Sequence, residues 1–348
     1  MIFASFGAFA GIYGRGEALR ERFRQQSQAG ALLEMCMLAG ALMSMAGCGP
    51  WAVVAGATVV AGAAAPAAAL LRLRPAGPPF QIFAFAAIAS APPAAPLGEA
   101  VLTAVLSVLL ALLIGVGSRV VPARRSPWAR PPRHRFSAGE RRGICADALA
   151  HAAAAGAAGS IATLAGLGHN YWAMIAAVVP LAGPTAGHKV ARGLHRILGT
   201  FGGLVLAALV LESEPAPWLL VVLIAVLQLG AELFVARQYT VAQLLVTPLA
   251  LLMTQLSHPA EPDMLVRDRA VETVIGAAAG IVLVLLVHSW LKGRRAGAGR
   301  PPAGAPGQLP VTGPAALPAT SGAEDGKCLR LQPSQCERSS ASALAPRP

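Results

Sequence analysis

The chain has 348 residues, a mean hydropathy of +0.59 and only 13% charged residues, yet its formal net charge is +12. A soluble globular chain carries about 25% charged residues, and a nucleic-acid binder needs a basic patch interleaved with aromatics; several apolar runs of bilayer-crossing length exclude both classes. What remains is a polytopic α-helical membrane protein whose first partner is the lipid bilayer, with no nucleic acid among its partners.

Apolar segments are predicted, in chain order, at 1–14, 29–47, 51–71, 79–95, 98–118, 146–167, 170–186, 197–212, 217–235, 239–257 and 270–291. The first is too short, at about 21 Å as helix, for a hydrocarbon core of about 30 Å. Its basic residues follow the apolar run instead of preceding it, the reverse of a signal peptide. It reads as the second half of a membrane helix whose beginning is absent. From 292 onward Pro, Gly, Ala and Ser dominate with no apolar period, which predicts a disordered tail.

Threading the segments alternately, with the basic stretch 119–145 inside, places Arg15, Arg20, Arg22, Arg24, Arg72, Arg74, Lys189, Arg192, Arg196 and Arg237 on the same side as that linker. Before the tail, Arg267 and Arg269 are the exceptions, in a loop that also holds Glu261, Asp263 and Asp268. This is the positive-inside pattern. It predicts a multi-pass plasma-membrane protein with the linker and the C-terminal tail in the cytoplasm.

Laying Phe9-Ala10-Gly11 over Leu181-Ala182-Gly183 brings Arg20 onto Arg192, Arg24 onto Arg196 and Gly30 onto Gly202. After a small shift Pro50-Trp51 falls on Pro217-Trp218, and Ala100-Val101 on Ala270-Val271. The predicted fold is therefore all-α, a transmembrane bundle of about eleven spans in two repeated halves. An N-terminal membrane repeat occupies 1–118, the linker 119–145, a C-terminal membrane repeat 146–291 and the tail 292–348. Repeated bundles around a central pathway are a common transporter plan.

The stretch His169-Asn170-Tyr171-Trp172-Ala173-Met174, running on to Arg192-Gly193-Leu194-His195-Arg196-Ile197-Leu198-Gly199-Thr200, resembles the fusaric acid resistance/aromatic acid exporter family, also called FUSC or integral membrane bound transporter proteins. Glu232 through Tyr239, Thr247-Pro248-Leu249-Ala250, and Asp268-Arg269 with Glu272, Gly276 and Gly280 resemble its later signatures, and Phe6 through Glu17 resembles the matching piece of the first half. The resemblance implies a secondary exporter of organic acids, aromatic carboxylic acids being the expected class, with a small organic anion as substrate. It also implies six spans per half where the first half here has five. A linker of about 27 residues, Arg119–Cys145, stands where some members carry a soluble domain. Plant malate channels have been grouped near this family, so an organic-anion channel is a competing expectation. A non-transporting scaffold or a subunit of a larger complex is another. The sequence leaves open pairing with a second copy or an accessory subunit.

Residue by residue, Tyr171-Trp172 opens a helix at the outer surface, either as an interfacial anchor or as a ring platform for an aromatic substrate. Arg192 and Arg196, one turn apart on a helix face, either sit against lipid phosphate or gather anions at the cytoplasmic mouth, where a guanidinium fork suits a carboxylate; Arg20 and Arg24 are the same pair in the other repeat. Pro180, Pro184, Thr247 and Pro248 interrupt helices, as packed kinks or as pathway linings. Glu232, read as a structural partner of Arg237, and Asp147 with His151 are the acidic and titratable candidates for ion coupling. Five cysteines include no C-x-x-C, and no His sits at metal-ligand spacing from a Cys pair. No P-loop, G-x-S-x-G or H-E-x-x-H is present. No metal, cofactor, catalytic residue or enzymatic activity is expected.

Overall fold

The structure, a computed structural model, describes residues 2–93, 95–118, 135–183, 185–213, 215–235, 237–257 and 261–298. Most of the predicted tail and linker, and Pro184, lie outside the described residues. The described chain is helical throughout its ordered elements: α1 (Ile2–Ala8, continued by a 3-10 turn Phe9–Ile12), α2 (Leu19–Met45), α3 (Pro50–Leu70), α4 (Pro79–Ser90), α5 (Leu97–Gly117), α6 (Ala138–Leu164), α7 (Tyr171–Val178, continued by a 3-10 turn Val179–Leu181), α8 (Ala186–Glu212), α9 (Pro217–Phe234), α10 (Tyr239–Ser257) and α11 (Pro262–Ala298).

Every predicted apolar segment is a helix, but several helices are longer than their apolar part. α2 and α8 each begin about ten residues earlier and run 27 residues, about 40 Å. α6 starts at Ala138, inside the stretch read as linker, where Ser137 and Glu140 form a capping box. α11 continues to Ala298, past the predicted start of the tail. Hydropathy registers only the part of a helix that lipid touches, whereas hydrogen bonding carries the helix on into water. Among the described residues, eight helices are long and apolar enough to cross a membrane, while Ile2–Ile12, Pro79–Ser90 and Tyr171–Leu181 are shorter. The lipid-facing surface is rich in exposed side chains such as Leu102, Leu106, Leu113, Leu194, Leu198, Val222 and Leu229. Bilayer, not water, is the medium that such a surface fits.

Packing relies on small residues. Lipid tails are as apolar as leucine, so helices gain by close van der Waals approach. α3 meets α6 at small residues: a Cβ added to Gly62 would lie 3.5 Å from the Ala152 Cβ, and one added to Gly156 2.9 Å from the Thr58 hydroxyl. α8 meets α10 at Gly199 and Gly203, where an added Cβ would lie 2.6 Å from the carbonyl oxygens of Thr240 and Leu244. Pro248 takes the amide hydrogen that would have bonded the Leu244 carbonyl, so that freed carbonyl is the one Gly203 covers. α1 packs on α5 as α7 packs on α11, and α2 on α4 as α8 on α10. α6 also reaches α7 and α11, and α4 touches α7, so the N- and C-terminal helices share one interior.

Candidate functional site

α7 supplies the centre of that interior. Its eight residues are all buried, so Tyr171 and Trp172 face no headgroup layer and the interfacial-anchor reading does not hold for them. Among the tryptophans whose burial is described, Trp51 and Trp218, at the starts of α3 and α9, are exposed, with 53% and 69% of their surface free. The Trp172 ring lies 4.9 Å from Tyr171 and 4.8 Å from Phe83 of α4, centroid to centroid. Phe83 in turn stands edge-on to Phe6 of α1 at 4.9 Å. These rings border a cavity of about 340 Å³ that also takes Phe9, Ser44, Ile88, Val246, Ala250 and Thr254 into its lining. Its walls come from α1, α2, α4, α5, α7, α9 and α10 together.

Beside the cavity lies a chain of buried polar groups. Arg196 on α8 is 4% exposed; its Nη1 donates to Gln243 Oε1 at 2.9 Å and to the Tyr239 hydroxyl at 3.3 Å. Gln243 passes the chain on, donating to Thr200 and to Thr247, both at 3.3 Å, and the Thr247 hydroxyl donates to the Gln243 carbonyl. The Arg192 guanidinium sits over the Tyr239 ring, 4.7 Å from its centroid. On α11, Arg269 is 1% exposed and its Cζ lies 3.6 Å from the Trp172 ring centroid. Glu272, fully buried one turn along, accepts the His169 backbone N–H at 3.1 Å.

The same arrangement separates residues that sequence spacing had grouped. Arg24 pairs with Glu21 and donates to Gln28 on its own helix, reaching off it only to the Leu71 carbonyl at the end of α3 at 3.5 Å, and Arg20 is half-buried, so the α2 pair lacks the side-chain network that joins the α8 pair to α10. Glu232 bonds Arg15, not Arg237: Arg15 Nη2 donates to its carboxylate at 3.0 Å and Nη1 to its carbonyl at 2.7 Å. The reason is that α9 ends at Phe234, so the chain turns before Arg237 can come back along the helix face. His151, 1% exposed, has its Nδ1 2.8 Å from the Asp147 carbonyl. Pro180 sits in the 3-10 turn that ends α7, facing Gly193. Among the described residues no three His, Cys, Asp or Glu side chains cluster as metal ligands.

A family model described as fusaric acid resistance protein-like matches residues 157–283. Those residues are a fusaric acid resistance protein-like segment. The chain is also similar to a curated relative, the uncharacterized membrane protein YvaC of Bacillus subtilis (strain 168), with 27% identity over 132 residues, 38% of this chain and 21% of the relative. The chain thus spans about a fifth of that relative's length. No solved structure matches it.

The fusaric acid resistance protein-like segment holds Tyr171, Trp172, Arg192, Arg196, Tyr239, Gln243, Thr247, Arg269 and Glu272, and excludes Arg20, Arg24, Asp147 and His151. Arg269, Glu272 and Gln243 were not among the candidates that spacing suggested. One signal for Arg269 was present: it breaks the one-sided distribution of basic residues, close to the start of an apolar run. His169, between α6 and α7, has a ring 6.0 Å from that of Tyr171. Its burial, opposed by Asp268 and reinforced by Arg269, holds its pKa below the usual histidine value. The unfolded chain therefore takes up that proton first, so its contribution to stability is full above about pH 6.5 and is lost as pH falls below it. Acidification from neutral pH to 5.5 is expected to lower the thermal midpoint in detergent, with a flatter response in His169→Asn; an equally steep fall in that variant would assign the effect to other groups.

Proposed function

We propose that this protein carries small organic anions, aromatic carboxylates above all, out across the plasma membrane, and that the ring of the substrate occupies the cavity bounded by Phe6, Phe9, Phe83, Tyr171 and Trp172. The cavity is the observation that carries this reading. Small-molecule sites are typically clefts of about 300–1,000 Å³, mostly apolar with a few placed polar groups, and this one is bordered by tilted and edge-on rings. The parallel packing of α1 on α5 and α7 on α11, and of α2 on α4 and α8 on α10, supports a duplicated bundle with its site between the halves. The one-sided basic residues support a cytoplasmic linker and tail. The fusaric acid resistance protein-like match supports organic acids as the class.

The test is flux. Proteoliposomes are loaded with benzenesulfonate, an aromatic anion that stays charged and does not leak as a neutral acid, and efflux is followed with and without a pH gradient. Efflux above protein-free vesicles, reduced at least several-fold by Phe83→Ala, is the expected result. Equal efflux with and without the gradient would make the protein a channel, and no efflux of any aromatic acid in a panel would leave it a scaffold.

A further inference from the structure

Arg269 is a buried cation with nothing to bond. Among the described residues, its Nε, Nη1 and Nη2 are all buried and without a hydrogen-bond partner. Thr273 Oγ1 and Glu272 Oε2, on the next turn of the same helix, are in the same condition. Removing a guanidinium from water is costly unless its donors are used. The contact with Trp172 offsets part of that, since the negative face of an indole attracts a desolvated cation. It occupies only the face of the guanidinium. The five N–H donors lie in its plane, a fork that matches a carboxylate. Arg196 differs, because its Nη1 is already committed to Gln243 and Tyr239.

Trp172 joins this unused donor set to the cavity. Its ring lines the cavity and meets Phe83, while Arg269, which is not part of the lining, lies against the ring at 3.6 Å. We propose that Arg269 is the anion-binding residue of the site: an aromatic carboxylate seats its ring among Phe6, Phe83 and Trp172, Trp172 turns aside, and the carboxylate takes the in-plane N–H donors of Arg269. Glu272 is the acid one turn away on α11; no ion pair joins it to Arg269, so the guanidinium donors are left for the ligand. This rests on the reading of the cavity as the substrate site, and it identifies which of the many arginines reads the charge.

The experiment is equilibrium binding of radiolabelled benzoate to the purified full-length chain in detergent, with benzamide as the uncharged competitor of the same shape. Saturable benzoate binding that benzamide does not displace is expected. Arg269→Gln is expected to weaken it about 10- to 100-fold, the range for lost hydrogen bonds to a charged group. Arg269→Lys, which keeps the charge but not the fork, falls between, and Glu272→Gln binds at least as tightly as the parent. Arg269→Gln alone buries an amide beneath Trp172 beside the Glu272 carboxyl and can fail to fold. The double variant Arg269→Gln/Glu272→Gln replaces both ionisable groups and decides the matter. A folded, monodisperse double variant that binds benzoate like the parent overturns the proposal, as does benzamide competing equally or a parent that does not bind benzoate. Binding that depends on Arg269 without any vesicle flux would uphold this assignment and sink transport; flux with Arg269-independent binding would do the opposite.

Discussion

Gly276→Val and Gly280→Val are each expected to prevent α7 from docking and to yield aggregated protein, and even Gly276→Ala is expected to lower the thermal midpoint markedly. A Cβ on Gly276 would lie 2.2 Å from the Ala173 carbonyl oxygen and 2.6 Å from the Ala176 Cβ; one on Gly280 would lie 2.3 Å from the Ala177 carbonyl oxygen. The obstacles are mostly backbone, which cannot turn away as a long side chain does. Overpacking a core costs about 1–3 kcal/mol and occasionally more, and here relief requires the two helices to separate along their length. Because α7 carries Tyr171 and Trp172, separation also destroys the cavity. Gly143→Ala is the control. It lies in α6 with nothing within 4 Å of a new Cβ, so it is expected to be neutral or to stabilise by up to about 1 kcal/mol through helix propensity. Size-exclusion profiles and thermal midpoints of the purified variants read the result, and a Gly276→Val protein as stable as the parent would refute the close packing of α7 on α11.

Arg196→Ala is expected to be much more damaging than Arg192→Ala, although the two stand one turn apart and look alike in the sequence. Arg196 is buried and donates to Gln243 and Tyr239, and its loss strips a donor from the chain that continues to Thr200 and Thr247. Leaving a buried acceptor underused costs about 1–3 kcal/mol. Arg192 is partly exposed and rests on the Tyr239 ring, a contact worth about 0.5–1 kcal/mol at such a site. The discriminating measurement is a double-mutant cycle with Gln243→Leu: thermal stabilities of Arg196→Ala and Gln243→Leu should couple by about 0.5–3 kcal/mol, whereas Arg192→Ala with Gln243→Leu should be close to additive. Equal losses for both arginines, or no coupling, would mean that the network does not bear on stability.

These residues show what sequence alone determined. The apolar runs and the Pro-Trp starts of α3 and α9 required no knowledge of neighbours. Hydropathy and proline geometry act along a single helix, and lipid imposes the same demand on each helix separately. Helix class and the approximate position of every segment followed, and so did the membrane assignment. The ends of α2, α6, α8 and α11 did not, because their polar turns are stabilised by capping and backbone bonding, which average hydropathy does not register.

Tertiary structure decided which polar residues are buried and with whom. Tyr171-Trp172 and Pro217-Trp218 both place a tryptophan at a helix start; Trp172 is enclosed and Trp218 is exposed, because α7 is surrounded by α4, α6 and α11 whereas α9 packs mainly on α10. Glu232 took Arg15, 217 residues away, over Arg237, five away. Arg269 looked like an exception to a charge rule and is instead the cation beneath Trp172. A polar side chain in an apolar medium goes to whichever partner the packing brings within reach, and for Glu232, Arg196 and Arg269 that partner lies elsewhere in the bundle, tens to hundreds of residues distant, where no local pattern records it.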